Sequence, residues 1–301
     1  MGLVLGAKQW LIFGKARLYM QFGILGGDDR QIYLANSIAQ DGHSVVIGGL
    51  DYVTGTQTLT HLPYRELIKT CTHIILPLPA TRDSKMLFAP YSSEGIELND
   101  EFAKSLRGKF VYGGLIDKII CSSDMWDEIK IEDYYKREEL IQGNAMLTAE
   151  GAAAMAVHEL VCSLNHSKCL VTGFGRIGKA LCILLRSFGA KVDCAARKSK
   201  DLAGIRCIGC DGITYGQISQ RYDVIFNTVP AVVLGEAQLS KQNSDTVILE
   251  LASLPGGVDL KAADKLSIRV VSGQSLPGKI SPKTAGEFIK EAIYNIMMEE
   301  S

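Results

Sequence analysis

Cys169-Leu170-Val171-Thr172-Gly173-Phe174-Gly175-Arg176-Ile177-Gly178-Lys179-Ala180 decides the fold of this chain. An apolar β-type run ends on Gly-x-Gly-x-x-Gly, and a good helix-forming sequence over 179–188 comes directly after it. Strand, glycine turn and helix in that order suit a dinucleotide pyrophosphate. Gly173 permits the tight turn, Gly175 lets the backbone approach the phosphates, and Gly178 lets the helix pack against the strand. The helix N-terminus adds N–H groups and the positive end of its dipole. Phe174, Arg176 and Ile177 fill the other loop positions and are expected to contact the cofactor with the glycines.

The residues after the loop bear on which cofactor is meant. The apolar run 190–196 reads as the second strand of the unit. Where an NAD enzyme would set Asp or Glu against the ribose hydroxyls, this chain has Arg197-Lys198. A carboxylate there repels a 2′-phosphate, whereas a guanidinium binds it through a charge-assisted fork. NADP is therefore expected over NAD, with NAD as the alternative. The blander reading makes Arg197 and Lys198 a solvated turn.

At 301 residues the chain is long enough for two α/β domains. A formal net charge of -1 gives no electrostatic reason to expect nucleic acid or a membrane surface. Cys162, Cys169, Cys182 and Cys194 lie in apolar runs and read as small buried hydrophobes. Cys207-Ile208-Gly209-Cys210 has metal-like spacing but no second Cys or His pair, so two reduced thiols in a loop and no metal are expected, with a zinc or redox role as the alternative. The cysteine usage suits a reducing cytoplasm. Residues 1–19, interrupted by Lys8, Lys15 and Arg17, lack a signal-peptide core and read as an N-terminal extension. No charge-free run of membrane-spanning length comes after them.

Two β/α arrays are legible. The first opens with Phe22-Gly23-Ile24-Leu25 and a Gly26-Gly27 turn, then a helical run over 30–40 and short buried strands at 44–47, 73–76 and 109–112. Its turn carries Asp28-Asp29, which suit a helix N-terminus as caps but repel a pyrophosphate. Either carboxylate could alternatively meet a cationic amine of a substrate. In the second array strands at 222–227 and 246–251 end in Asn227-Thr228-Val229-Pro230 and Glu250-Leu251-Ala252-Ser253. Ligands of open α/β sheets lie at the carboxyl ends of strands, making Thr228, Val229, Pro230 and Ser253 candidate cofactor contacts. A strand at 269–273 and a helix over 284–298 close the chain.

Between the arrays, Thr148 reads as the N-cap of an alanine-rich helix that bridges the domains and borders the cleft. His158 on that helix is a candidate for proton transfer, although packing histidines are commoner. The expected fold class is α/β, two Rossmann-like doubly wound parallel-sheet domains joined by this bridging helix. The expected division is an extension over 1–19, a flavodoxin-like substrate or docking domain over 20–147 plus 285–301, and an NADP-binding Rossmann domain over 148–284.

Four segments go beyond generic signals: Gly26-Gly27-Asp28-Asp29-Arg30-Gln31, Thr148-Ala149-Glu150-Gly151, the 173–178 loop, and Leu276-Pro277-Gly278-Lys279-Ile280-Ser281-Pro282-Lys283-Thr284-Ala285-Gly286. Together they resemble the family of A-type subunits of dipicolinate synthase from spore-forming bacteria, from about Met20 to the end. The resemblance implies NAD(P)-linked oxidation of a dihydro or hydroxy-tetrahydro precursor of the lysine branch to pyridine-2,6-dicarboxylate during sporulation. It further implies the mother-cell cytoplasm and a flavoprotein-like B-type partner, flavin entering only through that partner. A homo-oligomer is also allowed. The domain arrangement is similar to D-2-hydroxyacid dehydrogenases too, but their substrate-binding Arg is replaced by Ala252-Ser253, and their Pro-His pair by Pro282-Lys283.

A dicarboxylate substrate needs cationic partners. Lys279, after a Pro277-Gly278 turn that could hold its backbone near the cleft, and Lys283, in the same loop, are candidates for substrate binding and for acid–base work, with Arg82 and Lys85 as weaker candidates for the second carboxylate. Two other functions compete with the oxidoreductase reading. One is a non-catalytic nucleotide-binding scaffold for a flavoprotein partner; the other is a stand-alone 2-hydroxy- or amino-acid dehydrogenase.

Overall fold

The computed structural model describes residues 20–56 and 58–299; the extension expected over 1–19 lies outside them. The described chain divides into two units, one running to Ile141 and resuming at Pro282, the other spanning Gln142–Ser281. Each contains one six-stranded, wholly parallel sheet.

In the first unit the strands are β1 (Gln21–Leu25), β2 (Ser44–Gly48), β3 (Thr60–His61), β4 (His73–Ile75), β5 (Phe110–Gly113) and β6 (Ile131–Asp133), in the order β3-β2-β1-β4-β5-β6. The helices are α1 (Asp29–Gln40), α2 (Tyr64–Thr70), α3 (Asp100–Ser105), α4 (Asp117–Ile120) and the returning C-terminal α11 (Pro282–Glu299). Helix α5 (Glu138–Glu159) begins here and carries the boundary between the units. Five strands, β2-β1-β4-β5-β6, run in flavodoxin order, and two-residue β3 adds an edge that brings the whole sheet to Rossmann order. Apolar alternation explains why both faces are covered. Phe22, Ile24 and Ile75 pack under α1 and α11 with Leu34, Ile38, Ile289 and Ile293. Leu25, Ile74 and Leu76 face the other way, onto Leu67, Phe102 and Trp126. Such two-sided burial is what near-continuous apolar strands require. Gly286 lets α11 lie on α1, because a Cβ there would stand 2.7 Å from Arg30 O.

The second unit holds β7 (Lys168–Thr172), β8 (Lys191–Ala195), β9 (Asp211–Ile213), β10 (Val224–Asn227), β11 (Val247–Glu250) and β12 (Arg269–Ser272). Its helices are α6 (Arg176–Ser187), α7 (Ser199–Cys207), α8 (Glu236–Leu239), α9 (Leu260–Lys265) and α10 (Leu276–Ile280). The sheet order β12-β11-β10-β7-β8-β9 is the Rossmann order 3-2-1-4-5-6 read from the other edge, with its switch point between β7 and β10. Cys169, Val171, Val224 and Phe226 bury one face of this sheet and Leu170, Ile225 and Ile248 the other.

Three local expectations are corrected. Thr148 is no N-cap: α5 starts at Glu138, and Thr148 lies inside it, its hydroxyl donating to Asn144 O at 2.7 Å. The segment after Ser275 is a short helix, not a loop, because Pro277 falls in its first turn, where the missing N–H costs nothing. Cys162 is exposed, whereas Cys169, Cys182 and Cys194 are buried.

At the amino-terminal edge of the first sheet, Phe22 packs on His43 and His73, whose ring centroids lie 5.4 and 5.2 Å away. His73 stacks on Phe110, and His43 Nδ1 is buried with no hydrogen-bond partner among the described residues. Burial holds both imidazoles below the ordinary histidine value of 6.5; His43 also feels opposing effects from Asp41 and Lys290. Both are thus more readily protonated in the unfolded chain. Their contribution to stability is complete above 6.5 and is lost as pH falls through 6.5 toward the depressed folded values. Protection of the β1, β2 and β4 amides, taken relative to the intrinsic exchange rate at each pH, should fall on acidification from about pH 7 to about pH 5.5, with a fall of roughly a few degrees in melting temperature. The double variant His43→Gln, His73→Phe should flatten that dependence; an unchanged slope refutes the assignment.

Candidate functional site: a nucleotide-binding edge

The second unit gathers its functional side chains at the carboxyl edge of its sheet. There β7 ends at Thr172, and Gly173 turns the chain with φ +92, a conformation glycine adopts without strain. A Cβ on Gly173 would stand 2.7 Å from Thr228 Oγ1 and 2.8 Å from Val229 Cγ2. A Cβ on Gly178 would overlap the Gly173 carbonyl oxygen, so the first turn of α6 lies directly on the turn that precedes it. Gly175 is different. It is exposed, and a Cβ there would meet nothing within 4 Å. It is the N-cap of α6, and among the described residues no side chain caps the helix. The space over Gly175 and the uncapped α6 start fit a pyrophosphate, the group for which the loop sequence is suited.

Beneath the loop the Cys194 thiol reaches the Gly173 carbonyl at 3.6 Å, and Gly173 N donates to Ala195 O at 2.8 Å. Burial pushes the Cys169 thiol up to about 11, keeping it protonated and inert. Cys207 is exposed and Cys210 buried, and among the described residues no group of three or more His, Cys, Asp or Glu could hold a metal ion.

At the end of β8, Arg197 and Lys198 are exposed, and Lys198 is the N-cap position of α7. Arg197 is close enough to Tyr215, beyond β9, to act on its phenol, although burial dominates and raises that group. No carboxylate stands at the end of β8, which suits a ribose carrying a 2′-phosphate.

Beyond β10 and β11 lies a network that sequence reading missed. Thr172 Oγ1 donates to Asn227 Oδ1 at 2.5 Å, and Asn227 Nδ2 donates to Glu250 Oε1 at 2.6 Å and to Val229 O at 3.0 Å. Glu250 Oε1 also accepts from Ala252 N at 3.0 Å, and Oε2 from Gly257 N at 2.9 Å. Thr228 Oγ1 donates to Thr172 O at 2.7 Å. Thr228, Val229, Pro230 and Ser253 thus line the same edge as the glycine loop. The signal available in the sequence was a polar residue closing each apolar run: Thr172, Asn227 and Glu250.

Other expected site residues lie elsewhere. His158 is exposed in the last turn of α5, and its neighbour Glu159 pairs with Arg269, the first residue of β12. That places His158 at the amino-terminal edge of the sheet, the end away from the glycine loop. Lys279 is exposed at the end of α10 in the second unit, and Lys283 is exposed at the start of α11 in the first. Arg82 and Lys85 are exposed in the first unit, Arg82 lying 4.2 Å over the Phe88 ring.

Both residues of the Asp28-Asp29 turn of the first unit make hydrogen bonds within the chain. Asp28 caps α1 and takes Arg30 Nε at 2.8 Å and Nη2 at 2.7 Å, while Gln31 completes a capping box. Tyr91 OH donates to Asp29 Oδ1 at 2.7 Å, and this bond raises the Tyr91 phenol to about 12. The buried Arg30 guanidinium also reaches Leu78 O. Asp28 therefore acts as the cap of α1, and Asp29 anchors Tyr91.

Residues 21–135 match the model of the N-terminal domain of the dipicolinate synthase A-type subunit. Over 290 residues the chain is 26% identical to the A-type dipicolinate synthase subunit of Bacillus subtilis (strain 168), covering 93% of this chain and 96% of that one. The chain is a relative of the dipicolinate synthase A-type subunit. The crystal structure of the corresponding protein from Bacillus halodurans aligns with TM-score 0.81 at 27% identity, over 92% of this chain and 97% of the other. An L-alanine dehydrogenase aligns with TM-score 0.62 at 11% identity, over 94% and 90%, and shares the fold. The resemblance drawn from four sequence segments and the doubly wound α/β fold class are both borne out. No helix of the described residues is long and apolar enough to cross a membrane.

The two glycines of the loop separate packing from ligand contact. Gly178→Ala should destabilise the second unit by about 1–3 kcal/mol, the usual range for forced overpacking. Gly175→Ala should cost at most about 1 kcal/mol, the size of an N-cap change, yet weaken nucleotide binding at least about tenfold by obstructing the phosphates. Thermal melts paired with NADPH titrations check both. A Gly175→Ala protein that binds like wild type places the pyrophosphate elsewhere.

Proposed function

We propose that this chain is the nucleotide-binding oxidoreductase subunit of a dipicolinate synthase, using NADP to oxidise a dihydro or hydroxy-tetrahydro precursor to pyridine-2,6-dicarboxylate. The carrying observation is the open Gly175 turn at an uncapped α6 start, with Arg197-Lys198 closing the adjacent strand, in a relative of the A-type subunit. Gly173 to Gly178 would hold the pyrophosphate, Arg197 and Lys198 the 2′-phosphate, and Thr228, Val229, Pro230 and Ser253 the second nucleotide. Bound there, the nicotinamide supplies a two-electron hydride acceptor. Oxidation of the dihydro ring removes one hydride and one proton, and the aromatic product supplies the driving force.

Cationic side chains orient the dicarboxylate in this reading, Lys279 first, with Lys283 and Arg82 as further contacts. A B-type partner of flavoprotein character, as the A-type designation of its relatives invites, and the cytoplasm of a sporulating mother cell complete the proposal. A scaffold role is the second reading, favoured by the position of His158 at the opposite edge from the glycine loop. It would leave proton transfer to the partner.

Fluorescence titration should show NADPH bound in preference to NADH, and Arg197→Asp should erase that preference, at least about tenfold, as expected for loss of a charge-assisted fork. No NADPH binding at millimolar concentration, or an unchanged preference in the variant, defeats the cofactor assignment. Turnover that requires the flavoprotein partner and survives Lys279→Ala and Lys283→Ala favours the scaffold.

A further inference from the structure

We infer that Glu250 is a positioning residue, tying together the two loops that cradle the nicotinamide half of the nucleotide. The inference rests on the dinucleotide reading of the second unit and deepens it. A Rossmann sheet is two mononucleotide-binding halves, and here the half formed by β10, β11 and β12 stands on the side of the switch point away from Arg197. Asn227 and Glu250 close the first two strands of that half.

The pattern of bonds makes Glu250 more than a strand terminus. Its carboxylate accepts from Asn227 Nδ2, Ala252 N and Gly257 N, and among the described residues no lysine or arginine pairs with it. One oxygen faces the Asn227 side and the 251–252 backbone; the other holds Gly257 across the 253–256 turn. Asn227 is wholly buried and clamps the next loop from both directions, donating to Val229 O and accepting from Val229 N at 3.3 Å. The two loops are also stitched to each other, since Val233 N and Leu234 N both donate to Gly257 O at 3.0 Å. A Cβ on Gly257 would overlap Val229 O and the Asn227 amide, so neither loop can shift alone. The acceptor-only carboxylate is what this site requires. A glutamine would keep one oxygen for Asn227 or for Gly257 and present an amide donor to the other N–H.

Glu250→Gln should therefore release one loop of the nicotinamide half while leaving the glycine turn and Arg197 in place. The probes are NADPH and 2′,5′-ADP, which carries the adenosine and 2′-phosphate without a nicotinamide. The variant should bind NADPH about tenfold or more weakly, the cost of an unpaired buried group, and 2′,5′-ADP within about twofold of wild type. Binding of 2′,5′-ADP also reports that the unit is folded. Should the glutamine variant not fold, Glu250→Asp, too short to span Asn227 and Gly257 together, carries the same expectation. Equal weakening of both ligands assigns Glu250 to general stability, and no weakening of NADPH removes it from the site; either result overturns the inference. A wild-type chain that binds neither ligand overturns the dinucleotide reading itself, and the inference with it.

Discussion

The backbone of Gly173 lies against the first turn of α6 with no room for a methyl group at Gly178. From that close approach the rest of the edge is determined. The helix can begin immediately beyond the strand, which sets its N-terminus over the switch point between β7 and β10 rather than to one side. Its first turn then has N–H groups without helical acceptors at a place where no side chain caps it. With no described side chain capping it, this helix end is open to water or to a ligand, and an anion is the ligand that backbone amides and the helix dipole favour.

The first unit meets the same constraint in the opposite way. Its sheet repeats the order of the second, and its first helix also starts from a glycine turn at the switch point. There, however, Asp28 supplies the anion from within the chain. It caps α1, and the buried Arg30 guanidinium neutralises it while reaching Leu78 O. An intramolecular carboxylate held at the helix end competes with any dissolved phosphate at a high effective concentration. One topology is thus closed by its own side chains in one unit and left open in the other. The difference between them is carried by a few residues in the first βα turn, and neither sheet order nor core packing determines it.

Those turns were legible in the sequence because the chemistry is local. Gly173 to Gly178 is contiguous, and Asp28 sits beside the helix it caps. The long buried strands were legible too, since a sheet covered on both faces demands apolar runs such as Cys169-Leu170-Val171 and Val224-Ile225-Phe226. The elements that escaped have sequences that do not carry their reason. Thr60-His61, Ile131-Glu132-Asp133 and Asp211-Gly212-Ile213 are strands because a neighbouring strand offers a ladder, not because of their own pattern. The start of α5 was hidden by Gly143 and Asn144, weak helix formers overridden by tertiary packing. Pro277-Gly278 looked like a turn because proline and glycine together usually are one, yet proline is also favoured at a helix start. The Asn227 and Glu250 pairing spans 23 positions and needs the register of two parallel strands before it exists at all.

Strand direction also sets the end of the sheet at which a side chain stands. In a parallel sheet every strand points the same way, so a residue near the first position of β12 and one beyond the last position of β7 are separated by the full length of the strands. His158 is at the first of these places, and its partner Glu159 is spent on Arg269. The groups left at the nucleotide edge are mostly neutral or donors: the loop amides, Thr228, Arg197 and Lys198, with Glu250 already committed to three N–H groups. An edge of that composition suits an anionic dinucleotide but, among the described residues, offers no spare base. Under the proposed oxidation, the released proton would have to be taken by a group outside this edge, from a partner protein or from the lysines proposed to meet the substrate.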